Sequence, residues 1–364
     1  MAGKSTIGRF FEDFRLGELL PHATPRTVTV GDAALYVALT GSRFALNSSA
    51  TLARRLGLEA APLDDLLVFH VVFGKTVSDI SLNAVANLGY AECRFLAPVF
   101  AEDTLHTSSE VIGLRETSNR ENGLVWVRST GFNQRTEPVL EFVRWVLVPK
   151  RDPAAAAPEP SPPELADHVP ATALMVPDGL GFAAYDTVAA GGPFLWSDYA
   201  VGEKIDHIDG VTIEEAEHMM ATRLYQNTAR VHFDQQRQRQ SRLGRRLIYG
   251  GHVISLARSL SFNGLANACL VAAINGGRHV APCFAGDTIY AWSEVLDKAE
   301  LRGRDDVGAL RLRTVATKDL ACADFPFKGE DGRYHEAVVL DLDYWVLMPR
   351  TAVRRQPEAP PAQR

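Results

Sequence analysis

Two hydrophobic patterns alternate along the chain, and each pattern occurs twice. Apolar residues run almost without interruption through 66–73, and again from His252 to about Leu265. Such runs are apolar on nearly all sides, which is typical of helices that are buried all round. The segments that start at Leu124 and Leu310 instead alternate apolar with polar or charged residues, as antiparallel strands with one solvated face do. Ahead of each buried helix the pattern predicts a short strand and a further helix, at 27–30 and 31–41 and at 209–213 and 213–226.

The two sets of elements belong to an internal repeat. The segment 97–111 returns as 281–295, with nine of its fifteen positions identical. The opening segment 13–22 returns as 198–207, and both halves close on a Trp-Val-Leu segment followed by proline, at Trp145 and Trp345. Three matched blocks in the same order indicate a fused duplication.

One buried helix wrapped by a curved antiparallel sheet is the hotdog architecture. The repeat therefore predicts an α+β fold with two tandem hotdog units, paired as a pseudo-dimer with one continuous sheet. We expect units at 1–150 and 193–352, joined by 151–192. The Pro- and Ala-rich part, 151–163, should be an extended and exposed connection, and 164–192 an addition packed on the outside. The tail from about residue 354 is expected to fray.

Composition narrows the range of partners. The chain has 364 residues, is 46% hydrophobic and 23% charged, and carries a formal net charge of −6 without a long basic run, which argues against nucleic acid. No run of about twenty apolar residues predicts a membrane span. The N-terminus shows no apolar signal core, so a cytoplasmic location is expected. Four widely spaced cysteines predict buried, reduced thiols.

Candidate chemistry is concentrated in the second copy. An amide, a guanidinium, an imidazole and a carboxylate lie within eight residues, as Asn227, Arg230, His232 and Asp234. About twenty residues later, two glycines precede the second buried helix. Free backbone N–H groups at a helix start can stabilise an anion, so this combination predicts a pocket for proton transfer and anion stabilisation.

The repeat, the segment 227–234 and the long helical segment 64–81 resemble the MaoC-like, (R)-specific enoyl-CoA hydratase family, and most closely its double-hotdog members that act on mesaconyl-CoA. The resemblance covers both hotdog units, from about Phe10 to Arg350. It implies a hydro-lyase that reversibly hydrates an α,β-unsaturated acyl-CoA, with mesaconyl-CoA giving β-methylmalyl-CoA. It implies neither a cofactor nor a metal ion. The partner that it implies is the acyl-CoA substrate, and the expected assembly is a homo-oligomer.

The family motif has an Asp, four intervening residues and a His, which together hold and activate the attacking water. In this chain the His is His232, but Asn227 stands in place of the Asp and Arg230 in place of the usual proline. An amide cannot take a proton as a base, so His232 is the expected base. The corresponding places of the first copy hold Ser42 and Asn47, which predicts that only the second copy is active.

The resemblance assigns further residues to the site. Gly250 and Gly251 would donate backbone N–H groups to the thioester oxygen as the enolate develops. Ser259 falls where the family has a pocket serine, and it forms one polar stripe with Ser255 and His252; a serine bonded to its own helix is the alternative.

Three carboxylates could replace the missing Asp of the motif, namely Asp234, Asp64 and Asp65. The last two could instead cap the first buried helix. Arg230 is the candidate partner for the free carboxylate of a dicarboxylic substrate, with a solvent-facing arginine as the alternative. A generic enoyl-CoA hydratase, a hotdog thioesterase and a non-catalytic CoA-binding protein remain the alternative functions.

Overall fold

A single antiparallel sheet runs through both copies of the repeat in the computed structural model, which describes residues 4–350. The predicted frayed tail lies outside the described residues. The strand order is β1-β3-β4-β5-β2-β7-β10-β9-β8-β6, so each copy supplies one half of the sheet. The strands are β1 (Leu19–Thr27), β2 (Ala86–Phe95), β3 (Thr104–Glu116), β4 (Asn122–Phe132), β5 (Pro138–Pro149), β6 (Lys204–Thr212), β7 (Leu270–His279), β8 (Thr288–Glu300), β9 (Val307–Lys318) and β10 (Val338–Pro349).

Helices pack on both faces of this sheet. The helices are α1 (Val30–Thr40), α2 (Ala45–Ser48), α3 (Ala50–Arg55), α4 (Asp65–Thr76), α5 (Thr187–Ala190), α6 (Glu215–Leu224), α7 (Arg230–Phe233), α8 (Gln235–Gln238), α9 (Gly250–Leu260) and α10 (Phe262–Leu265). A π-helical turn, Val77–Ser81, continues α4, and 3-10 turns lie at Phe11–Asp13, Ala171–Ala173 and Trp196–Asp198.

The two long buried helices of the sequence are α4 and α9, one in each copy. From Leu66 onward every residue of α4 is buried, as is α9 from Gly251 to Ser259. Leu67 and Phe69 of α4 belong to the same apolar cluster as Ile254 and Ala257 of α9, and this cluster includes inward-facing residues of both half-sheets. The double-hotdog prediction is confirmed.

The halves meet along β2 and β7 and along their central helices. β2 pairs with β7, with Tyr90 opposite Gly277 and Arg94 opposite Ala273. Behind this pair, His70 of α4 approaches Ser255 of α9 with 2.8 Å between Nε2 and Oγ. Counted from the first residue of each helix, His70 and Ser255 are equivalent positions, so this contact lies near the pseudo-two-fold axis. The pairing makes one large core instead of two small ones.

The connection between the halves has two parts with different surroundings. Residues 151–168 contain neither helix nor strand and are mostly exposed. Further on, Val169, Phe182 and Tyr185 are buried in a second apolar cluster, together with residues of α2, α3, β7 and β10. The indole N–H of Trp345 donates to the backbone oxygen of Val169 at 2.9 Å. This part of the connection is therefore packed against both copies.

Element boundaries differ from the sequence prediction where short-range chemistry sets them. β1 covers Leu19–Thr27 instead of 27–30, because Thr29 accepts from the backbone N–H of Asp32 and begins α1 directly afterwards. α9 ends at Leu260 instead of near 265, since Asn263 and Gly264 are non-helical and Gly264 has a φ of +97°.

Two further expectations concern cysteines and membranes. Cys93, Cys269, Cys283 and Cys322 are all free thiols and all buried, as predicted. Across residues 4–350, the helices are too short or too polar to cross a membrane.

Candidate active site

A cavity of about 910 Å³ lies where the two halves meet. The first copy contributes the end of α4, the start of β2 and the middle of β5, and the second copy contributes 227–232, the start of α9 and the end of β7. Many of the residues that line it have polar side chains or free backbone groups. They include Ser81, Asn87, Tyr90, Arg144, Asn227, His232, Tyr249, Gly250 and His279; Arg278, Arg313, Lys328, Tyr334, Asp341 and Asp343 also line the cavity.

His232 presents one ring nitrogen to the protein backbone and one to the cavity. Its Nδ1 lies 2.8 Å from the backbone oxygen of Leu247, so Nδ1 carries the proton and donates it. That tautomer leaves a lone pair on Nε2. The ring is largely enclosed by protein, and burial lowers its pKa to about 4. At neutral pH the imidazole is therefore uncharged and able to accept a proton.

Asn227 lies in the same cavity wall and is almost completely buried, with 1% of its surface exposed. Its Oδ1 accepts from the backbone N–H of Ala229 at 3.3 Å, which holds the side chain beside the turn that leads to α7. The spacing of the motif thus brings Asn227 and His232 into one cavity. As an amide, Asn227 can hold a water molecule by hydrogen bonds but cannot take its proton.

The start of α9 offers unpaired backbone donors beside His232. Tyr249 is the N-cap residue, and its side chain makes no capping hydrogen bond. Gly250 lines the cavity, and a Cβ at Gly250 would lie 2.4 Å from Nδ1 of His279. A Cβ at Gly251 would lie 2.4 Å from Cζ of Tyr249. Neither position leaves room for a side chain. The backbone N–H of Gly250 is therefore open to an anion in the cavity, whereas Gly251 is buried and does not line the cavity.

The first copy retains the scaffold of this arrangement without its chemistry. Asn47 stands where the second copy has His232, and its Nδ2 donates to the backbone oxygens of Pro62 and Leu63, both at 3.2 Å. Pro62 and Leu247 each precede the central helix by three residues, so the asparagine reproduces the His232–Leu247 bond. It provides no second ring nitrogen that could act as a base.

Asp64 and Asp65 lie at the start of α4 and do not line the cavity. Asp64 caps α4 by accepting from the N–H of Leu66 at 3.0 Å, and it accepts from the hydroxyl of Ser42 at the same distance. Asp65 accepts from the N–H of Val271 at 2.8 Å, and burial raises its pKa to about 8. The capping interpretation therefore describes Asp64, and neither residue replaces the Asp of the motif.

The polar stripe on α9 faces away from the cavity. The hydroxyl of Ser255 contacts His70 and accepts from Tyr36 at 2.9 Å, in the contact between the halves. Ser259 is buried, and its hydroxyl has no hydrogen-bond partner among residues 4–350. Instead of lining the substrate pocket as expected, the two serines lie in the core.

Asp234 and Arg230 also point elsewhere. Asp234 is exposed and caps α8 by accepting from the N–H of Arg237 at 3.0 Å. The guanidinium of Arg230 donates to the side chain of Asn83 and to the backbone oxygen of Ile7. Neither residue is among those that line the cavity. Arg230 lies on the rim of the fold, where it ties α7 to the first copy.

Two histidines outside the motif, one in the cavity wall and one that supports the start of α9, were not predicted from the sequence. His279 ends β7, lies 3.2 Å from the hydroxyl of Tyr90 through its Nε2, and has its pKa lowered to about 4 by burial. His218 of α6 accepts from the backbone N–H of Tyr249 at 2.9 Å and so fixes the cap of α9. Both histidines are brought to the site by sheet pairing and helix packing, which no local sequence pattern reports.

Comparison with known proteins identifies the family of this chain. The family model described as mesaconyl-CoA hydratase matches residues 2–323. The chain is 64% identical to the beta-methylmalyl-CoA dehydratase of Chloroflexus aurantiacus, over 96% of this chain and 99% of that protein.

Two solved structures share the fold. A MaoC domain protein from Chloroflexus aurantiacus has 63% identity and a TM-score of 0.94, over 96% of this chain and all of that chain. A double-hotdog protein from Mycobacterium tuberculosis has 25% identity and a TM-score of 0.75, over 93% of this chain and 98% of that one. With the fold, the motif and the cavity described above, these matches show that the chain belongs to the mesaconyl-CoA hydratase family, within the MaoC-like double-hotdog dehydratases.

Proposed function

We propose that this protein catalyses the reversible hydration of mesaconyl-CoA to β-methylmalyl-CoA in the cavity between its halves. The observation that carries the proposal is the setting of His232. Its Nδ1 is fixed on the oxygen of Leu247, so that Nε2 serves as the base, and the ring lies beside the free N–H groups at the start of α9. Family membership supports the substrate, because the similar protein from Chloroflexus aurantiacus is named for the dehydration of the same product.

In the proposed mechanism, His232, Asn227 and Gly250 each carry out one part of the addition of water. A water molecule held by His232 and Asn227 gives a proton to Nε2 of His232, and its oxygen forms a bond to the β-carbon of the thioester. The electron pair of the C=C bond moves to the thioester oxygen as an enolate, which the backbone N–H of Gly250 stabilises. The enolate then takes the proton from the imidazolium at the α-carbon. Dehydration follows the same steps in reverse.

A neutral base suits this sequence. Because burial lowers the pKa of His232 to about 4, the imidazole is free to accept a proton throughout the neutral range. The low pKa also makes the imidazolium a strong acid once it has formed. It therefore returns its proton readily to the α-carbon, and the ring is reset in every cycle.

The test replaces His232 and its counterpart in the first copy. We expect His232→Ala to lower the kcat for mesaconyl-CoA hydration by roughly 10²–10⁴, as loss of a general base does. Asn47→Ala is the matched control, since it removes the equivalent bond to the loop before α4 but no base, and its kcat should remain within about twofold of wild type. Hydration is followed by loss of absorbance of the conjugated thioester.

Three results would contradict the proposal. A folded His232→Ala protein with near-normal turnover would exclude His232 as the base. Loss of activity in Asn47→Ala equal to that in His232→Ala would place catalytic groups in the first copy. Release of free CoA thiol instead of hydrated product would assign the cavity to a thioesterase.

A further inference from the structure

Arg144 is a buried cation that lines the cavity without an acidic partner. It lies on β5 and has no solvent-exposed surface. Its Nη2 donates to the hydroxyl of Thr76 at 2.7 Å, and both Nη atoms lie 3.3–3.4 Å from the hydroxyl of Ser81. Its Nε has no hydrogen-bond partner among residues 4–350. All of these partners are neutral, and within the described chain no carboxylate lies within ion-pair distance of the guanidinium.

Burial of an unpaired charge is costly, so an uncompensated guanidinium in a cavity wall requires an explanation. Burial lowers the pKa of Arg144 only to about 10, so the side chain is charged at neutral pH. Its nearest titratable neighbours, Tyr90 and Tyr249, have raised pKa values and are neutral phenols. Lys75 also lacks an acidic partner among residues 4–350, but it bonds Gln226 and does not line the cavity. Arg278 lines the cavity but is exposed, so water can solvate its charge.

The second copy shows that the fold does not need this charge. Trp145 and Trp345 are equivalent in the repeat, so Arg144 corresponds to Tyr344. Tyr344 is equally buried and is fully accommodated by one hydrogen bond, 3.0 Å long, to the hydroxyl of Thr314. At the equivalent position of β10, a neutral side chain is enough for the sheet to pack. The difference therefore belongs to the asymmetric cavity.

Arg144 and the catalytic histidine lie in the same cavity, joined by two aromatic rings. The guanidinium carbon is 4.3 Å from the ring centre of Phe73, and the rings of Phe73 and Tyr249 are 5.7 Å apart. The ring of Tyr249 is in turn 5.6 Å from that of His232. Asn87, also in the cavity wall, has a buried carboxamide whose oxygen and nitrogen lack partners among residues 4–350.

We propose that Arg144, assisted by the carboxamide of Asn87, binds the free carboxylate of a dicarboxylic mono-thioester and so selects this substrate over a simple enoyl-CoA. The assignment rests on the proposed function and names the group that recognises the far end of its substrate. In mesaconyl-CoA the free carboxylate is attached to the β-carbon, the atom that water attacks. A residue that grips it must therefore share the cavity with His232, as Arg144 does and Arg230 does not. The carboxylate would supply the missing negative charge and fill the open hydrogen-bonding site at Nε.

The experiment compares two substrates that differ only in this group. In tiglyl-CoA a methyl group replaces the free carboxylate of mesaconyl-CoA, with the same double-bond geometry. We expect Arg144→Met to lower kcat/KM for mesaconyl-CoA by about ten- to a hundredfold, the usual effect of losing a charge-assisted pair. The kcat/KM for tiglyl-CoA should stay the same or rise. Arg128→Met is the matched control, with the same substitution on the neighbouring strand β4 and outside the cavity, where Arg128 pairs with Glu92 and Glu141; both values should stay within about twofold.

The outcomes separate this inference from the proposed function. Suppose that wild type hydrates mesaconyl-CoA and that Arg144→Met lowers kcat/KM for both substrates equally, or for neither. The carboxylate assignment is then wrong, while the proposed hydratase activity stands. If wild type hydrates neither thioester, the proposed function itself fails. Loss confined to mesaconyl-CoA supports the assignment. Arg144→Gln, which keeps hydrogen-bonding groups for Thr76 and Ser81, gives the same comparison should Arg144→Met not fold, and thermal unfolding shows whether each variant folds.

Discussion

At the scale of single residues, the site depends on how His232 is held. Its Nδ1–H bond to Leu247 sets the tautomer, and the protein around the ring sets the charge. Asn227 is also suited to a negatively charged substrate. A buried carboxylate at that position would carry a second negative charge beside a substrate that brings its own, whereas an amide can hold the water without repelling the substrate.

The pH dependence of hydration should report the state of His232. Its pKa is lowered from the ordinary 6.5 to about 4, so the active neutral form predominates above pH 4 and is lost only as the pH falls through that value. We expect kcat/KM for mesaconyl-CoA to be flat from about pH 5.5 to 8 and to fall below about pH 5. A descending limb centred near pH 6.5 would instead show a solvated histidine and would contradict the buried base.

At the scale of elements, the two central helices begin with opposite chemistry. α4 starts with Asp64 as cap, whose carboxylate accepts from the N–H of Leu66 in the first turn. α9 starts with two glycines after Tyr249, and its first turn has no side-chain cap. The start of the central helix is therefore capped in one copy and uncapped in the other, and this difference supports the proposed oxyanion site in the second copy.

Gly250→Ala should disturb this helix start selectively. The new Cβ would lie 2.4 Å from Cε1 and Nδ1 of His279, so α9 or the histidine must shift and the N–H donors lose their positions. We expect kcat to fall by roughly tenfold to a hundredfold, in the direction of losing an oxyanion donor. Gly31→Ala, at an exposed position in the first turn of α1 where a Cβ would lie 3.4 Å from Oγ1 of Thr29, should leave kcat unchanged. Equal kcat in both variants would exclude Gly250 from catalysis.

The secondary-structure elements and the Asn227–His232 motif could be predicted from the sequence, because each depends on residues that are close together in the chain. The apolar runs of α4 and α9, the alternation in β4 and β9, and the spacing of Asn227 and His232 can all be read without a partner segment. Arg144 could not be identified in this way. It looks like one more polar residue in an alternating strand, and its lack of a carboxylate is visible only when every neighbour is placed.

The serines of α9 and the carboxylates at 64, 65 and 234 show the opposite error. Their spacing or position suggested a role in the pocket, yet a helix has several faces and a polar stripe can serve any of them. Ser255 uses its hydroxyl in the contact with His70 and Tyr36. Asp64 and Asp234 use their carboxylates as helix caps. Sequence spacing gives the face of an element, but the packing of the halves decides what that face meets.

At the scale of the whole molecule, duplication allowed the two copies to divide one site. The second copy supplies the motif and the open helix, and the first copy supplies Phe73, Tyr90 and Arg144 to the opposite wall. A homodimer of identical single units would carry each of these features twice. In the fused chain each feature is needed only once, so Ser42 and Asn47 can stand at the motif positions of the first copy and Tyr344 at the Arg144 position of the second.

This division predicts how the chain behaves when it is cut between its copies. We propose that residues 151–163 are not needed to hold the halves together, since among residues 4–350 their hydrogen bonds go to the first copy alone, with Glu12, Asp13 and Leu114 among the partners, whereas β2–β7 pairing and a shared apolar cluster join the halves. A protease site inserted between Ala157 and Pro158 should, after cleavage, leave two fragments that co-elute on size exclusion and keep kcat/KM within about twofold of the uncut protein with the same insertion. The second half, 193–352, produced alone should be inactive because its cavity lacks the wall that carries Arg144. Separation of the cut fragments would show that the tether maintains the assembly, and full activity of the second half alone would refute a site built from both copies.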